Sequence, residues 1–264
     1  MQEEKFYFTW LSLIDVDMYT FIKLMRPIND VKELFYLTSE NSRFYNYLIQ
    51  NNIFMSKDLY QKFIDFKIKQ RAKILFKSLI QNNFKIIHIF SKEYNRIIKS
   101  YNNLPLVFFI SGKFDLLYKE KVYLYLESID NVSKIVKANL ECSIINKDYT
   151  LIQDDSNNIN ISNKIIISDT KNIENSLKIK QNKDILNIFV NLNKKDNISC
   201  FIDKLIIINA SYKKDIVYLV DSMLEQGKDV YVVPNNILNK SAYFSNYLIS
   251  EGAKVVINLN NPFL

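Results

Sequence analysis

The fold of this chain is decided by the segment EQGKDVYVVP at residues 225–234, which is followed by NYLI at 246–249 and EGAKVV at 251–256. Upstream, the run KLIIINA at residues 204–210 is continuously apolar, as is typical of a strand buried on both faces of a parallel sheet. The β-branched runs VYVV and KVV then recur at intervals long enough for a helix. This alternation predicts a βαβαβ unit in the last third of the chain.

Two of the three glycines in the chain stand at equivalent places in this unit. Gly227 and Gly252 each follow a helical stretch, where glycine adopts the left-handed conformation that ends a helix. We therefore predict that residues 204–210, 229–233 and 254–258 are strands of one mainly parallel sheet, joined by right-handed helical crossovers.

Short β-rich runs alternate with helical stretches from residue 85 onward. Such alternation is typical of an α/β domain with a mostly parallel sheet. Within it, Cys142 is interpreted as a buried strand residue. The further predicted strands are residues 85–90, 106–111, 121–126, 142–146, 150–152, 164–168 and 185–190, and the predicted helices are residues 132–140, 171–177, 213–226 and 241–250.

Residues 1–85 have the pattern of a helical module, which is predicted to precede a sheet domain at residues 86–264. The longest helix is predicted at residues 56–81, with Ser56 as its N-cap and Asp58 opposing the macrodipole in the first turn. Shorter helices are predicted at residues 4–13, 30–37 and 42–49.

Four lysines share one side of this longest predicted helix, opposite its apolar face. A row of cations on an amphipathic helix is a candidate contact for the phosphates of DNA, and it is also typical of a solvated face. The candidate DNA-binding residues are Lys62, Lys69, Lys73 and Lys77.

The chain has a formal net charge of +7 and a pI near 9.1. Two explanations stay open: a binding surface for nucleic acid, or a composition crowded with Lys, Asn and Ile. Arginine contributes only four of the 35 basic residues, and all four lie within the first 96 positions.

The sequence offers little that is typical of an enzyme. One histidine and two cysteines cannot build the usual four-ligand zinc site, and the glycines are too far apart for a phosphate-binding loop. His88, in a short β-rich run, is interpreted as a structural residue. We therefore predict a protein that is not an enzyme and has no cofactor or metal.

No apolar run reaches the length of about 18 residues that a membrane span needs. Residues 1–5 also lack the basic-then-apolar layout of a signal peptide. We therefore expect a cytoplasmic protein without a membrane partner, whose two cysteines stay reduced.

The segments that predict the fold also resemble motifs of the DprA/Smf family of DNA-processing proteins. Family members carry EQG-basic-acid-V-aromatic-x-VP followed by N-x-L-I-x-x-G-A-x-x-V, and residues 225–234 and 246–256 match both. Tyr94 and the segment PLVFFISG at residues 105–112 keep the spacing of the family's entry segment. The resemblance covers residues 94–264 and implies a Rossmann-like domain preceded by a SAM-like helical module.

The resemblance also implies a function. Family members bind incoming single-stranded DNA without catalytic turnover and load RecA recombinase onto it during DNA uptake and recombination. They form homodimers through the Rossmann-like domain, so self-association is expected through its C-terminal half. Aromatic residues that support this expectation are Tyr218, Tyr231, Tyr243, Phe244 and Tyr247.

The family's phosphate pocket is missing from the central turns of this chain. Family members use glycine and arginine there, because backbone N–H groups and the guanidinium fork hold phosphate. Here the first turn reads LES at residues 126–128 and the second reads QDDSNN at residues 153–158. Glu127, Asp154 and Asp155 therefore put negative charge where phosphate would bind.

Other positions of the family's pocket also differ. Residues 181–199 are rich in Asn, Lys and Asp and stand where the family keeps a phosphate-binding arginine. Lys214-Asp215 replaces the family's Ser-Gly pair, and Asn235 replaces the glycine of its VPG segment.

Two hypotheses follow from these sequence features. The first is a DprA-like protein that binds single strands weakly, without sequence preference and mainly through lysine. The alternative is a degenerate DprA paralogue that has lost DNA binding and acts as a protein-interaction or scaffold module.

Overall fold

The computed structural model describes residues 2–98, 104–154, 164–177, 184–191 and 196–264. Within these residues the strands are β1 Lys85–His88, β2 Val107–Gly112, β3 Lys121–Leu126, β4 Thr150–Asp154, β5 Lys164–Asp169, β6 Ile185–Val190, β7 Lys204–Asn209, β8 Asp229–Val232 and β9 Lys254–Val255. The α-helices are α1 Gln2–Ile14, α2 Met18–Met25, α3 Val31–Leu37, α4 Asn41–Gln50, α5 Lys57–Ile64, α6 Phe66–Gln81, α7 Tyr94–Ile97, α8 Asn131–Asn146, α9 Ile173–Ser176, α10 Asp196–Ser199, α11 Lys214–Glu225 and α12 Tyr243–Ser250.

These strands form one sheet in the order β1-β2-β6-β5-β4-β3-β7-β8-β9. Every neighbouring pair from β6 to β9 is parallel. In contrast, β2 runs antiparallel to both β1 and β6. The predicted fold class is therefore confirmed: the molecule is a Rossmann-like α/β protein with a mostly parallel sheet and a helical N-terminal region.

The C-terminal βαβαβ unit is confirmed in its strand order. β7, β8 and β9 lie side by side and parallel, with α11 and α12 between them in the chain. Gly227, with φ +66°, and Gly252, with φ +99°, each stand one residue beyond a helix C-cap, where the left-handed conformation favours glycine. The handedness of the crossovers stays a prediction.

Gly112 ends β2 and has a different role. Its φ is +104°, and a Cβ on this residue would collide with the carbonyl oxygen of Ile185 on β6. The antiparallel strand can therefore approach the parallel half of the sheet only because residue 112 has no side chain.

The N-terminal helices pack around an aromatic core that includes Phe8, Trp10 and Phe63. This core continues into the sheet, because Phe109 of β2 and Phe189 of β6 belong to it. The predicted boundary at residue 85 stays a prediction. No helix among the described residues is long and apolar enough to cross a membrane.

The predicted long helix at residues 56–81 is wrong in one respect, since the structure has two helices there. Asp65, with ψ 112°, is extended, and its carboxylate accepts a hydrogen bond from the backbone N–H of Lys67 at 2.8 Å. Asp65 is therefore the N-cap of α6 and separates it from α5, while Ser56 caps α5 as predicted.

The predicted strand at residues 142–146 is also wrong, because these residues form the last turns of α8. Leu140 and Ile144, four residues apart, are the buried apolar positions of this helix, which is a helical period. Cys142 is correspondingly exposed and not buried as expected. A short apolar run of this kind fits both a strand and a buried helix segment.

Further differences from the prediction concern the ends of β1 and β9 and an additional helix. β1 stops at His88, where the hydroxyl of Ser91 accepts a hydrogen bond from the backbone N–H of His88 at 3.0 Å. The predicted strand at 254–258 contracts to the two residues of β9. The helix α2, capped by Asp17, was not predicted.

Candidate nucleic-acid interface

The strand order of the sheet reverses between β3 and β7. The chain runs outward from β3 to β6 and then returns to place β7 on the other side of β3. In open α/β sheets, ligands bind beyond the carboxyl ends of the strands at such a reversal. Here that place, which we call the switch-point crevice, is formed by Glu127, Ser128, Asn209, Ser211 and Lys213.

Asn209, at the end of β7, fills the floor of the switch-point crevice. Its Oδ1 accepts hydrogen bonds from the backbone N–H groups of Glu127 and Ser128, at 3.0 and 2.9 Å. Its Nδ2 donates to the carbonyl oxygen of Ser128 and to Oγ of Ser133, at 2.9 and 2.8 Å. The backbone N–H groups that a phosphate-binding turn would offer to a ligand are therefore occupied by a buried side chain of the same molecule.

The carboxylate of Glu127 lies at the entrance to α11. It accepts hydrogen bonds from the backbone N–H and the hydroxyl of Ser211, at 2.7 and 2.6 Å. The ammonium of Lys213 lies 2.8 Å from Oε1. Partial burial alone would raise the pKa of Glu127, but the hydrogen bonds from Lys213 and Ser211 outweigh burial and hold the pKa below its usual range.

The switch-point crevice is thus filled by the protein's own polar groups. Glu127 was expected to repel phosphate as a negative charge in the turn. In the structure its charge is matched by three donors, and its carboxylate occupies the position where those donors could hold a phosphate. A strand of DNA could reach these donors only by displacing Glu127.

Only the beginning of the second central turn lies within the described residues. Gln153 is buried at the end of β4, donates from Nε2 to Glu141 at 3.3 Å, and accepts from Lys164 at 3.0 Å. The side chain of Asp154 and residues 155–158, with Asp155, lie outside the described part of the chain. Residues 181–199 are likewise described only in part.

The four candidate lysines do not share one environment. Lys73 and Lys77 are exposed on α6, four residues apart, and neither forms an ion pair among the described residues. Lys62 lies on α5, and its ammonium is 2.8 Å from the carboxylate of Asp58. The break at Asp65 therefore places Lys62 on a different helix from the other three.

Lys69 does not belong to the exposed face, which corrects its predicted placement. It is 5% exposed, and Nζ donates to the carbonyl oxygen of Phe35 and to Oγ of Ser39, each at 2.8 Å. The ammonium also lies 4.6 Å from the ring centroid of Phe35 and 5.7 Å from that of Trp10. Burial lowers the pKa of Lys69 to about 8. This lysine therefore joins α6 to the end of α3 and cannot reach a phosphate.

The structure adds basic residues that the sequence-based selection missed. Lys67 and Arg71 are exposed on α6, and Nε of Arg71 lies 2.8 Å from Oε1 of Glu174 on α9. The composition of α6 could have indicated them, because the helix has five basic residues and no acidic residue. Asn209 could also have been found from the sequence, because it is a polar residue at the end of the apolar run at residues 204–210.

His88, the histidine considered as a catalytic residue, belongs neither to the switch-point crevice nor to α6. His88 is buried in β1, and its ring stacks on Phe8 with centroids 4.3 Å apart. Burial lowers the pKa of His88, so the ring is neutral at neutral pH. Among the described residues no group of three His, Cys, Asp or Glu side chains is placed to hold a metal ion.

Comparison with known proteins finds this fold in solved structures. The structure of DNA processing protein A (DprA) from Streptococcus pneumoniae superposes with a TM-score of 0.55 and 14% identity, over 88% of this chain and 95% of that one. DNA processing protein A from Helicobacter pylori, described for its mode of binding single-stranded DNA, superposes with a TM-score of 0.50 and 16% identity, over 67% of this chain and 93% of that one. No protein-family model and no curated protein matches the chain.

Proposed function

We propose that this protein binds single-stranded DNA and has a DprA-like role in DNA processing, without catalysing a reaction. The proposal is carried by α6, which exposes Lys73 and Lys77 on a helix of 16 residues that has no acidic side chain. The likeness in fold to two DNA processing proteins A supports the same role.

Binding through exposed lysines has a defined physical character. Ammonium groups contact phosphates by releasing condensed counterions, so affinity falls steeply with salt and does not depend on base sequence. Because the switch-point crevice is filled by Asn209 and Glu127, the affinity should be low compared with a preformed phosphate pocket.

The test is fluorescence anisotropy with a labelled oligonucleotide at two salt concentrations. The double variant Lys73→Ala/Lys77→Ala should bind more weakly, and its salt dependence should be shallower by about 0.7 for each phosphate that is no longer neutralised. Lys134→Ala/Lys240→Ala removes the same charge from exposed sites elsewhere and should bind like the parent. Equally weakened binding in both double variants would overturn the assignment to α6.

The proposed role extends to loading RecA recombinase onto single strands during DNA uptake and recombination, in the cytoplasm. This part of the proposal rests on the motif resemblance at residues 225–234 and 246–256. A purified RecA should form filaments faster on oligonucleotide coated with a single-strand-binding protein when this chain is added, and an unchanged rate would contradict it.

Self-association through the C-terminal half of the sheet domain belongs to the same proposal. Of the five aromatic residues expected there, Tyr231 and Phe244 are buried core residues, whereas Tyr218, Tyr243 and Tyr247 are exposed. Exposed aromatic side chains are enriched at interfaces between proteins. Light scattering at tens of micromolar should give a dimer mass, and a monomer mass would contradict this part.

The closed switch-point crevice favours a second candidate function. A paralogue that has lost DNA binding and acts as a protein-interaction or scaffold module would have no need for an open phosphate site. The two functions differ in one measurement, because the scaffold requires that the folded chain binds no oligonucleotide even at low salt.

A further inference from the structure

The exposed face of α6 carries apolar side chains at a regular spacing in addition to its basic residues. Every fourth residue from the start of the helix, namely Phe66, Gln70, Ile74 and Ser78, falls on one slowly turning stripe about 18 Å long. Phe66 and Ile74 are each 67% exposed, although both are large apolar residues. The stripe therefore presents apolar surface to solvent at two places along a basic helix.

Two rows of cations flank this stripe. Lys73 and Lys77 lie on one side, and Lys67 and Arg71 lie on the other, each pair four residues apart. Like charges at this spacing destabilise a helix, and α6 contains no acidic residue to offset them. The arrangement is complementary to a polyanion that has an apolar component.

A groove opens beside the stripe, between α6 and α9. Its volume is about 400 Å³, within the range of about 300–1,000 Å³ that is typical of ligand sites. Ile74 and Leu177 form apolar parts of its wall, and Lys67 and Arg71 stand on the α6 side. The one acidic group among its described lining residues is Glu174, which pairs with Arg71.

We propose that a single strand of nucleic acid lies along α6 with its bases against Phe66 and Ile74, and that Arg71 exchanges Glu174 for a phosphate. This inference rests on the proposed function and specifies its site. Bases present apolar faces and phosphates present charge at regular spacing, which matches a stripe between two cation rows. Glu174 acts as an internal competitor, since its carboxylate holds the guanidinium until a phosphate replaces it.

The Arg71–Glu174 pair gives the sharper test. Glu174→Gln should raise the affinity for a labelled oligonucleotide about three- to tenfold. Arg71→Ala should lower it, and in an Arg71→Ala background Glu174→Gln should have no effect. Asp148→Asn, which removes a carboxylate paired with Lys119 elsewhere, is the matched control and should leave the affinity unchanged.

Base contact is tested separately, with an intact oligonucleotide and one of the same length made of abasic sites. The parent chain should prefer the intact strand several-fold, and Phe66→Ala/Ile74→Ala should remove that preference while keeping the salt dependence. Ile237→Ala/Leu238→Ala truncates two other exposed apolar residues and should keep the preference.

The outcomes separate this inference from the proposed function. A parent chain that binds neither strand at low salt overturns both. Binding that depends on Lys73 and Lys77, but is insensitive to Glu174→Gln and to the removal of bases, overturns this inference and leaves the proposed function standing.

Discussion

The switch-point crevice and the exposed face of α6 contrast in how their polar groups are used. In the switch-point crevice, the side chain of Asn209 makes four hydrogen bonds and the carboxylate of Glu127 is contacted by three donors. Few of these polar groups are therefore left to bind a ligand. On α6, Lys73 and Lys77 form no ion pair with a described residue. Charge that is matched internally stabilises the fold, whereas unmatched charge is available to a ligand.

This contrast separates the polar groups that the fold itself uses from charges that stay exposed. The backbone N–H groups at the reversal of strand order are present in the structure, but a neighbouring amide and carboxylate use them. Substitutions in the switch-point crevice should therefore change stability, and substitutions on the exposed face of α6 should change binding. Variants in the two regions test this division, and their expected changes in the free energy of unfolding range from large to small.

Replacing Asn209 by alanine should lower the free energy of unfolding by about 3 kcal/mol. The variant leaves the backbone N–H and the carbonyl oxygen of Ser128 without their buried partner, and unsatisfied buried groups cost about 1–3 kcal/mol each. The N–H of Glu127 keeps the backbone carbonyl oxygen of Asn209 as an acceptor. Urea denaturation followed by circular dichroism measures the change. The exposed Asn139→Ala on α8 is the control and should change stability by less than about 0.5 kcal/mol.

Replacing Glu127 by alanine should lower the free energy of unfolding by about 2 kcal/mol, because the backbone N–H and the hydroxyl of the part-buried Ser211 lose a charged acceptor. Lys213 is exposed, so water replaces its partner. Inorganic phosphate should recover part of this stability in the variant by binding the vacated donors, and should stabilise the parent less. DNA affinity should stay unchanged or rise. The measurement is thermal melting of both proteins with and without phosphate, at constant ionic strength. An equal shift in melting temperature for the parent and the variant would contradict the role of Glu127 as an internal anion.

Lys69 should make the stability of the protein depend on pH, because burial lowers the pKa of its ammonium. The unfolded chain keeps this proton to about pH 10.5, whereas the folded protein loses it above about pH 8. Between these values the unfolded state binds more protons, so the free energy of unfolding rises with pH through this window.

The measured quantity is the difference between the parent and Lys69→Met at pH 7.5 and at pH 9.5. The parent should gain about 1–2 kcal/mol relative to the variant over this interval. At pH 7.5 the variant should be as stable as the parent or more so, because methionine buries no charge and the carbonyl of Phe35 keeps Thr38 and Ser39 as donors. A drop in DNA affinity in Lys69→Met, with the fold intact, would contradict its structural assignment.

The smallest effect is expected for Lys73→Gln/Lys77→Gln. Removing like charges at i,i+4 spacing should raise the free energy of unfolding by about 0.3 kcal/mol at low salt, with no change at high salt. A destabilisation above about 1 kcal/mol would mean that these lysines have internal partners, and the division between the two regions would fail.

Sequence patterns predicted the elements better than the tertiary interactions between them. The apolar run at 204–210 and the glycines at 227 and 252 indicated the parallel unit, because burial on two faces and left-handed helix ends leave local signatures. The run at 142–146 was misassigned, since a few apolar residues satisfy both a period of 2 and a period of 3.6. The break at Asp65 was missed, because a continuous apolar face concealed the N-cap.

Helical spacing correctly placed Lys73 and Lys77 on an exposed face of the helix, but it placed Lys69 there as well. Lys69 lies at an equivalent spacing, yet its ammonium is held by Phe35 and Ser39, 34 and 30 residues away in the chain. Lys67 and Arg71 were passed over because the selection followed one side of the helix only.

The sequence by itself therefore determined the α/β class, the parallel C-terminal unit and the basic character of α6, since hydrophobic period, helix capping and charge are properties of neighbouring residues. Only the tertiary structure decided which polar groups meet. The bond from Asn209 to the backbone of Glu127 joins residues 82 positions apart, and it forms because β7 returns to the side of β3. Hydrogen bonds need their partners within about 3 Å, and no local pattern specifies a distance of that kind across the chain.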